Sequence, residues 1–274
     1  MTALTLLLIT LAQAAGPPPG GWPIPPAESK VASVYDGDTV TLATGDKIRL
    51  RWVNTPELRP AEPYGVEARA AAERFLAGQT VKLILDGPNP RDGYGRVLAG
   101  LETADGNLSI HLLELGLGHL FIIPPEDTEL KPFLEAQAKA KAAKRGIWST
   151  DRYQGALHIT SFHANAPGDD SENVNGEYLR VCNVTNEPVD LDGYKITKAT
   201  GQSWTLPSVT VPAGHTFKLI SGEGKNQANA AEQIEVYLGE RTPVWNNKSD
   251  KATIFDRFGQ VIDAREHSVA KATP

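Results

Sequence analysis

Cysteine, excess positive charge and long apolar runs are all scarce in this sequence of 274 residues. The single cysteine, Cys182, excludes a disulfide within the chain, and its position in the strand-like run EYLRVCNVT predicts a small buried core residue. Because 27 Lys and Arg stand against 33 Asp and Glu, the net charge of −6 excludes a globally basic protein, and a nucleic-acid partner would have to bind a local patch. A hydrophobic content of 41% is typical of a globular protein with its own core.

Long apolar runs are missing beyond the N-terminus, so the sequence predicts no transmembrane segment. The first residues, MTALTLLLITLAQAAG, form an apolar run that is too short to span a bilayer and that ends in the small-residue site Ala12-Gln13-Ala14. This pattern predicts a secretory signal peptide over residues 1–15, although no Lys or Arg precedes the run. We therefore expect a monomer that is secreted or periplasmic.

Motifs of several common enzyme classes are missing as well. None of the six histidines shows the spacing of a zinc site such as H-E-x-x-H, and the sequence contains no Walker loop or nucleophile elbow. A zinc hydrolase or a nucleotide-binding P-loop protein is therefore not expected. His119, in the run GLGHLF, is expected on the surface rather than in contact with a substrate.

Residues 30–150 show a mixed periodicity that predicts a small barrel of strands with three helices, preceded by a Pro- and Gly-rich linker at residues 16–29. Alternating apolar residues predict five strands, at Val31–Tyr35, Thr39–Ala43, Lys47–Val53, Thr80–Leu85 and Arg96–Leu101. Helical spacing predicts one helix from Tyr64 to Gly78, a second over NLSIHLLELG and a third over DTELKPFLEAQAKAKAAKRG.

Residues 155–268 lack helical periodicity and instead repeat short apolar runs bounded by Gly, Pro, Asn or Asp. Regularly spaced short strands with turns between them predict an all-β sandwich, with the domain boundary near Tyr153. The loop GDDSENVNGE could bind calcium through Asp169, Asp170 and Glu172, but Asx turns explain its composition more simply.

The stretch IRLRWVNTPE, residues 48–57, carries the first sign of chemistry. As a strand it would place Ile48, Leu50 and Trp52 on one face and Arg49 and Arg51 on the other, and its proline would end the pairing. A solvated surface strand explains the two arginines as well as a binding site does, so other segments must decide.

Two further segments supply groups that suit phosphate chemistry. YDGDTVTL places Asp36 and Asp38 around a glycine at a strand junction, and DGYGRVLAGL places Arg96 at the start of a strand. Phosphodiester hydrolysis needs a hard cation held by oxygen ligands, a base for water, and fixed positive charge at the phosphate. Arg49 and Arg96 suit the phosphate because a guanidinium donates two hydrogen bonds in a planar fork and keeps its charge.

Five segments in order resemble a staphylococcal nuclease (thermonuclease) domain: DGDTV, RLRWVNTPE, YGVEARAAAERFL, DGYGRVLA and EAQAKAKAAKRGIWS. Each segment is a weak signal alone, but all five in this order across residues 31–149 are specific. The resemblance implies an α+β OB-fold barrel with three helices. It also implies calcium-dependent hydrolysis of the phosphodiester bonds of DNA or RNA.

The resemblance implies roles for individual residues. Asp38 matches the metal-binding aspartate of the family, and Thr55 matches the residue whose backbone carbonyl binds the metal. Glu57 matches the general base for the attacking water. Arg49 and Arg96 match the two arginines that bind the phosphate and stabilise the transition state.

Two departures from the family pattern weaken the expected site. Asn54 stands where an aspartate is common. Its amide oxygen can still bind calcium, but the loss of one negative charge predicts weaker metal affinity. Asp36 could offset this loss by accepting a hydrogen bond from metal-bound water. Tyr94 matches a substrate-binding tyrosine, whereas Ile122 stands where another aromatic residue can lie, and the adjacent Phe121 is expected to point inward. Fewer stacking contacts predict looser nucleotide binding.

The second half of the chain resembles a lamin tail domain, an immunoglobulin-like β-sandwich. The segments that carry the resemblance are EYLRVCNVTNEPVDLDGYKI, LPSVTVPAGHTFKLISGEG and VWNNKSDKATIFDRFGQVIDA. It implies no catalytic role. We interpret this domain as a binding or tethering element for a cell-surface or protein partner.

Two functions remain open. The first is a secreted, calcium-dependent nuclease. The second is a non-catalytic scaffold, in which the barrel only binds nucleic acid or protein and the metal site is degenerate. Glu57, Arg49 and Arg96 favour the nuclease, because a scaffold needs no base beside a metal, whereas Asn54 favours the scaffold.

Overall fold

The computed structural model describes residues 21–87 and 90–269. The predicted signal peptide at residues 1–15 and the first part of the predicted linker lie outside the described residues. Within the two described ranges, no helix is both long enough and apolar enough to cross a membrane.

The N-terminal domain combines short strands with three α-helices. In chain order its elements are β1 (Glu28–Val34), β2 (Thr39–Leu42), β3 (Lys47–Leu50), β4 (Trp52–Asn54), α1 (Gly65–Leu76), β5 (Thr80–Leu85), β6 (Val97–Thr103), β7 (Gly106–Asn107), α2 (Leu108–Glu114), β8 (His119–Phe121) and α3 (Lys131–Ala142). Two short 3-10 turns, Gly146–Ser149 and Asp151–Tyr153, lead into the second domain.

Five of these strands close into a barrel. β1 pairs in antiparallel fashion with β2 and β5, which in turn pair with β3 and β6. A parallel pairing of β3 with β6, in which Ile48 lies opposite Val97, closes the ring. Alternate residues such as Val40, Ile48 and Leu101 point inward and are fully buried, because side chains alternate across a strand. The predicted OB-like barrel is confirmed.

The helices pack against the barrel as their sequences suggest. Ala68, Ala71 and Ala72 lie buried on one face of α1, where small side chains allow a close approach to the strands. α2 begins after Asn107, whose side-chain oxygen accepts hydrogen bonds from two backbone N–H groups of the first turn. α3 begins later than predicted, at Lys131, with a proline in its first turn.

The predicted strand Lys47–Val53 is wrong as a single element. It divides at Arg51 into β3 and β4, because Trp52 adopts a left-handed backbone conformation with a φ of 66°. Trp52 is buried, and the two arginines, predicted on one face of a strand, do not share a solvated face. Arg51 forms an ion pair with Glu126 at 2.8 Å, whereas Arg49 turns toward a carboxylate in the turn between β1 and β2.

The C-terminal domain contains strands and turns, as predicted. Its strands are β9 (Leu157–His163), β10 (Tyr178–Asn183), β11 (Val189–Asp190), β12 (Lys195–Thr197), β13 (Ser203–Thr205), β14 (Thr210–Val211), β15 (Thr216–Gly222), β16 (Ile234–Glu240), β17 (Ser249–Phe255) and β18 (Val261–Ser268). Two four-stranded sheets, with orders β16-β15-β10-β9 and β13-β12-β17-β18, enclose a core that includes Leu179, Phe217 and Ile254. The predicted sandwich is confirmed.

The polar loop before β10 forms turns of the predicted Asx type. Asp169 Oδ1 accepts hydrogen bonds from the backbone N–H of Ser171 at 2.9 Å and from its hydroxyl at 2.6 Å. Asp170 accepts a hydrogen bond from the backbone N–H of Ala166 at 2.8 Å. These two carboxylates therefore stabilise the loop itself, as the simpler of the two interpretations predicts.

The two domains share a hydrogen-bonded and apolar interface. Ile122, which follows β8, donates its N–H to the carbonyl of Gly214 at 2.8 Å and accepts the N–H of Thr216 at 2.9 Å, so the barrel chain pairs with the beginning of β15. Cys182 is fully buried here, and its thiol lies 3.4 Å from the carbonyl oxygen of Leu120. The prediction of a core cysteine is confirmed.

Substitution of Gly100 measures how tightly Trp52 is packed against the barrel. Gly100 lies in β6 against the buried Trp52 ring, and an added Cβ would overlap that ring. We therefore expect Gly100→Ala to destabilise the protein by about 1–3 kcal/mol, as overpacked cores do. Denaturant unfolding measures the effect. Gly93→Ala is the matched control, because a Cβ at Gly93 meets open space. Equal stability of the two variants would show that the ring has room to move.

Candidate active site

The turn between β1 and β2 places two carboxylates at one end of the barrel. Asp36 and Asp38 are both buried, with 6% of each residue exposed, and Asp36 Oδ1 accepts the N–H of Asp38 at 3.1 Å. Gly37 separates them because a Cβ there would come within 2.7 Å of Thr55 and 2.8 Å of Ala68. The glycine thus lets the turn pack directly against the segment after β4 and against α1.

Thr55 connects this turn to the end of β4. Its backbone N–H donates a hydrogen bond to Asp38 Oδ2 at 2.8 Å, and its hydroxyl donates to the same oxygen at 3.0 Å. The other carboxylate oxygen of Asp38 accepts from the Thr39 hydroxyl at 3.2 Å. The structure therefore brings together two of the residues predicted to bind a metal.

Arg49 lies at the centre of the cluster. Its guanidinium donates to the carbonyl oxygens of Leu50 at 2.7 Å and Val53 at 2.9 Å, and to the side-chain oxygen of Asn54 at 2.8 Å. It also forms an ion pair with Asp38 at 3.3 Å. Arg49 is thus held by the chain around β4 and by Asp38, and one of its N–H groups donates to the predicted metal ligand Asn54.

Glu57 belongs to the same electrostatic cluster, although the residue as a whole is exposed. Loss of water around its carboxyl, together with the charges of Asp38 and Glu62, raises the pKa of Glu57, while Arg49 opposes the shift. Burial, followed by the charge of Asp38, raises the pKa of Asp36 to about 7. The carboxylates of Asp36, Asp38 and Glu57 therefore all interact electrostatically with the single guanidinium of Arg49.

This excess of negative charge is compatible with a hard cation. Carboxylate, amide and carbonyl oxygens are the ligands that calcium prefers. Burial is the largest cause of the raised pKa values of Asp36 and Glu57, and a bound cation would relieve the repulsion from Asp38 that adds to it. Among the residues that the structure describes, however, no group of three or more His, Cys, Asp or Glu is arranged to hold a metal. The residue types at Asp38, Asn54 and Thr55 fit a cation, whereas Asn54 Oδ1 is bonded to Arg49.

Arg96 and Tyr94 lie on a separate loop before β6. Arg96 Nε donates to Asp92 Oδ2 at 2.7 Å, and its guanidinium lies 5.6 Å from the centre of the exposed Tyr94 ring. The register of β3 and β6 pairs Arg49 with Leu98, two residues beyond Arg96. Within the described ranges, the contacts of Arg96 are with its own loop rather than with the carboxylates at Asp38 and Glu57.

Phe121 and Ile122 lie at the end of β8, where the family can have an aromatic residue that contacts the substrate. Ile122 is buried in the domain interface and is not available to a substrate. Phe121 is only half-buried, and the Arg49 guanidinium lies 5.8 Å from its ring centre. Phe121 packs against a buried cluster that includes Ile147 and Trp148, in line with the expectation that it points inward.

His119 was expected on the surface, and this expectation is wrong because the residue is fully buried beneath the site. β8 pairs with β4 and sets His119 opposite Asn54. His119 Nδ1 lies 2.9 Å from the carbonyl oxygen of Leu120, so this nitrogen carries the proton. Burial, followed by the charge of His158, lowers the pKa of His119 to about 3, so the ring is neutral. Nε2 therefore accepts from the amide Nδ2 of Asn54, 3.4 Å away.

Glu62 was also missed by sequence reasoning. Glu62 Oε2 accepts the backbone N–H of Glu57 at 3.0 Å. Its other oxygen lies 2.9 Å from Arg152 and 3.7 Å from Arg265. No local pattern could have revealed these contacts, since Arg265 belongs to the last strand of the second domain.

The contact between Asn54 and His119 can be tested by substitution. Asn54→Asp would replace an amide donor with an oxygen that faces the unprotonated Nε2 of His119 and would add a charge beside Asp38. We expect the metal-free protein to lose about 1–3 kcal/mol of stability in denaturant unfolding, the cost of an unsatisfied buried polar group. Asn107→Asp serves as the control, because aspartate caps a helix as well as asparagine does. An unchanged stability of Asn54→Asp would argue against this contact.

Comparison with known proteins agrees with this geometry. The family model described as Staphylococcal nuclease homologue matches residues 47–150, and the model described as Lamin Tail Domain matches residues 150–268. Both resemblances inferred from the sequence are thus confirmed, in the same order along the chain.

Individual relatives match the N-terminal domain. A thermonuclease of Staphylococcus intermedius is 33% identical over 125 residues, which is 43% of this chain and 74% of that protein. A thermonuclease of Staphylococcus hyicus is 33% identical over 127 residues, which is 44% of this chain and 75% of that protein. An endonuclease of Bacillus subtilis (strain 168) is 29% identical over 126 residues, or 60% of its length. The chain therefore belongs to the staphylococcal nuclease family, with a lamin tail domain following the nuclease domain.

Proposed function

We propose that this protein is a calcium-dependent nuclease that hydrolyses phosphodiester bonds of DNA or RNA. The observation that carries the proposal is the cluster at the open end of the barrel. There the Asp38 carboxylate contacts both Arg49 and Thr55, and the pKa of Glu57 responds to both Asp38 and Arg49. These are four of the positions that match the family's functional residues.

The proposed metal ligands are Asp38, the amide oxygen of Asn54 and the backbone carbonyl of Thr55, with Asp36 accepting a hydrogen bond from bound water. When bound, calcium would supply positive charge at the phosphate. For Asn54 to take part, Arg49 must give up its present bond to the amide oxygen. A phosphate oxygen would then replace that oxygen as the acceptor for Arg49.

The chain's own groups would carry the proton and the substrate. Glu57 takes a proton from water as the water oxygen forms a bond to phosphorus and the bond to the leaving oxygen breaks. The raised pKa of Glu57 suits this role, because a base is most effective when its pKa lies near the working pH. Arg49 and Arg96 donate hydrogen bonds to the phosphoryl oxygens, for which Arg96 has to leave its present partner Asp92. The exposed ring of Tyr94 stacks on a base.

A non-catalytic scaffold is the second candidate. It is favoured by the bond between Arg49 and Asn54, which occupies the amide oxygen that a metal would need. The scaffold would bind nucleic acid or protein through the barrel without cleaving it. The nuclease remains the better-supported proposal, because a scaffold gives no reason for Glu57 to stand beside Asp38 and Arg49.

Substitution of the proposed base separates the two candidates. We expect the wild-type chain to cleave heat-denatured DNA or RNA in millimolar calcium and to lose cleavage in a calcium chelator. Glu57→Gln should lower the rate in calcium by about 10²–10⁴, the usual contribution of a general base. The control is Glu67→Gln, an exposed change on α1 that should leave the rate unaltered.

Three results would contradict the proposal in different ways. Cleavage that persists in chelator would exclude calcium dependence. Full activity of Glu57→Gln would exclude that residue as the base. A folded wild-type chain that binds nucleic acid without cleaving it, with or without calcium, would support the scaffold.

We also propose that the chain is exported as a monomer and that its sandwich domain tethers it to a protein or cell-surface partner. The support comes from the N-terminal sequence and from the lamin tail match. Fractionation of cells that produce the chain should find it outside the cytoplasm, shortened by about 15 residues, the usual signal-peptide length, and bound to the cell surface. Full-length chain in the cytoplasm would contradict export, and chain released freely into the medium would contradict tethering.

A further inference from the structure

The segment that carries Glu57 is a loop rather than a strand or helix. Residues 57 and 62 close this loop with two hydrogen bonds: Glu62 N–H donates to the Glu57 carbonyl at 2.8 Å, and Glu57 N–H donates to Glu62 Oε2 at 3.0 Å. The position of Glu57 therefore depends directly on the position of the Glu62 carboxylate. A general base placed on a loop needs such support, because small displacements of reacting groups cost large factors in rate.

The Glu62 carboxylate is in turn held by the turn that leads into the second domain and by the last strand of that domain. Arg152, in the 3-10 turn Asp151–Tyr153, forms an ion pair with Glu62 Oε1 at 2.9 Å, and Arg265 of β18 lies 3.7 Å from the same oxygen. Only 11% of the Glu62 side chain is exposed, so its charge would be poorly solvated without these two partners. Both arginines lie within the residues matched by the lamin tail model.

Arg265 is itself anchored in the sandwich. Its guanidinium donates to the carbonyl oxygen of Ile159 in β9 at 3.1 Å while it faces Glu62 across the domain boundary. The chain of contacts thus runs from β9 and β18 through Arg265 and Glu62 to the backbone of Glu57. The charge of Arg265 also acts on the Glu57 carboxyl and opposes the rise in its pKa.

The same two strands also contact the residues packed against Asn54. The His158 ring of β9 lies edge-on to His119 at 5.5 Å, and His119 accepts from Asn54. His158 Nδ1 is 3.0 Å from the buried carboxylate of Asp263 in β18, which also accepts the N–H of Ile159 at 2.6 Å. β9 and β18 are therefore connected by contacts both to Glu57, through Arg265 and Glu62, and to Asn54, through His158 and His119.

We propose that the lamin tail domain is a working part of the nuclease site, and that its Arg152 and Arg265 are positioning residues that hold Glu57 through the carboxylate of Glu62. This inference rests on the proposed nuclease function. It assigns the second domain a task in catalysis besides the proposed tethering. The two arginines touch neither the substrate nor the reacting atoms; they act through Glu62.

The test is steady-state cleavage of heat-denatured DNA by the full chain in calcium. The double variant Arg152→Ala, Arg265→Ala should lower kcat at least tenfold and leave KM within twofold, because the base is misplaced while substrate contacts remain. The double variant Arg152→Lys, Arg265→Lys should recover part of kcat, since lysine keeps the charge at Glu62 but not the forked geometry. Arg241→Ala, which breaks an exposed ion pair with Glu223 on the same domain, is the control and should match the wild type.

The outcomes distinguish the positioning role from its alternatives. An unchanged kcat in the double alanine variant, with active wild type, would overturn the proposal. An increased KM at constant kcat would also overturn it, because it would make the arginines substrate-binding groups. A wild type that cleaves neither DNA nor RNA would remove the proposed function and the positioning role together.

A further variant covers the case in which the double alanine variant fails to fold. Glu62→Gln keeps the side-chain volume and the acceptor for Glu57 N–H but removes the charge that the arginines hold. We expect a folded protein, checked by near-UV circular dichroism, with kcat lowered at least threefold at unchanged KM. Wild-type kcat in folded Glu62→Gln would overturn the proposal.

Discussion

The guanidinium of Arg49 is the interaction on which the candidate site depends. Closure of the barrel by β3 and β6 brings Arg49 to the barrel end, where it bonds two backbone carbonyls, the amide of Asn54 and the carboxylate of Asp38. Only 13% of its side chain is exposed, so these acceptors compensate for the water that the charge has lost. The same charge lowers the pKa of Asp36, but burial, followed by the charge of Asp38, still raises that pKa to about 7.

The contact between Asn54 and His119 gives a physical reason for the asparagine in this member of the family. Pairing of β4 with β8 places a neutral, buried imidazole behind residue 54, and the free nitrogen of that ring requires a donor. The amide of Asn54 donates to this nitrogen and presents its oxygen to Arg49. A carboxylate that bonded Arg49 in the same way would turn its second oxygen, an acceptor, toward the unprotonated Nε2 of His119. The loss of one negative charge at the site is thus linked to the burial of His119.

The interface between the two domains fixes the groups that surround the candidate site. Main-chain hydrogen bonds at Ile122 join the barrel to β15. Gln137 of α3 accepts the N–H of Leu120 in β8 and donates to the side chain of Asn186 in the sandwich. Contacts of this kind fix the relative position of two domains more firmly than a polar linker does. The loop of Glu57 consequently rests on groups from both domains, so the lamin tail domain is structurally continuous with the site rather than a separate attachment.

The sequence alone determined the elements and the chemistry that are encoded locally. Period-two alternation predicted β5 at its observed bounds, and helical spacing predicted α1. The ordered motifs, through the family resemblance, assigned Asp38, Thr55, Glu57 and Arg49 to one site together with Arg96, whose contacts in the structure lie in its own loop. Only the tertiary structure decided the break at Trp52, the burial of His119 and the link from Arg265 through Glu62 to Glu57. Local patterns record which face of an element is apolar, whereas these features arise from residues far apart in the chain that meet only when strands pair and domains dock.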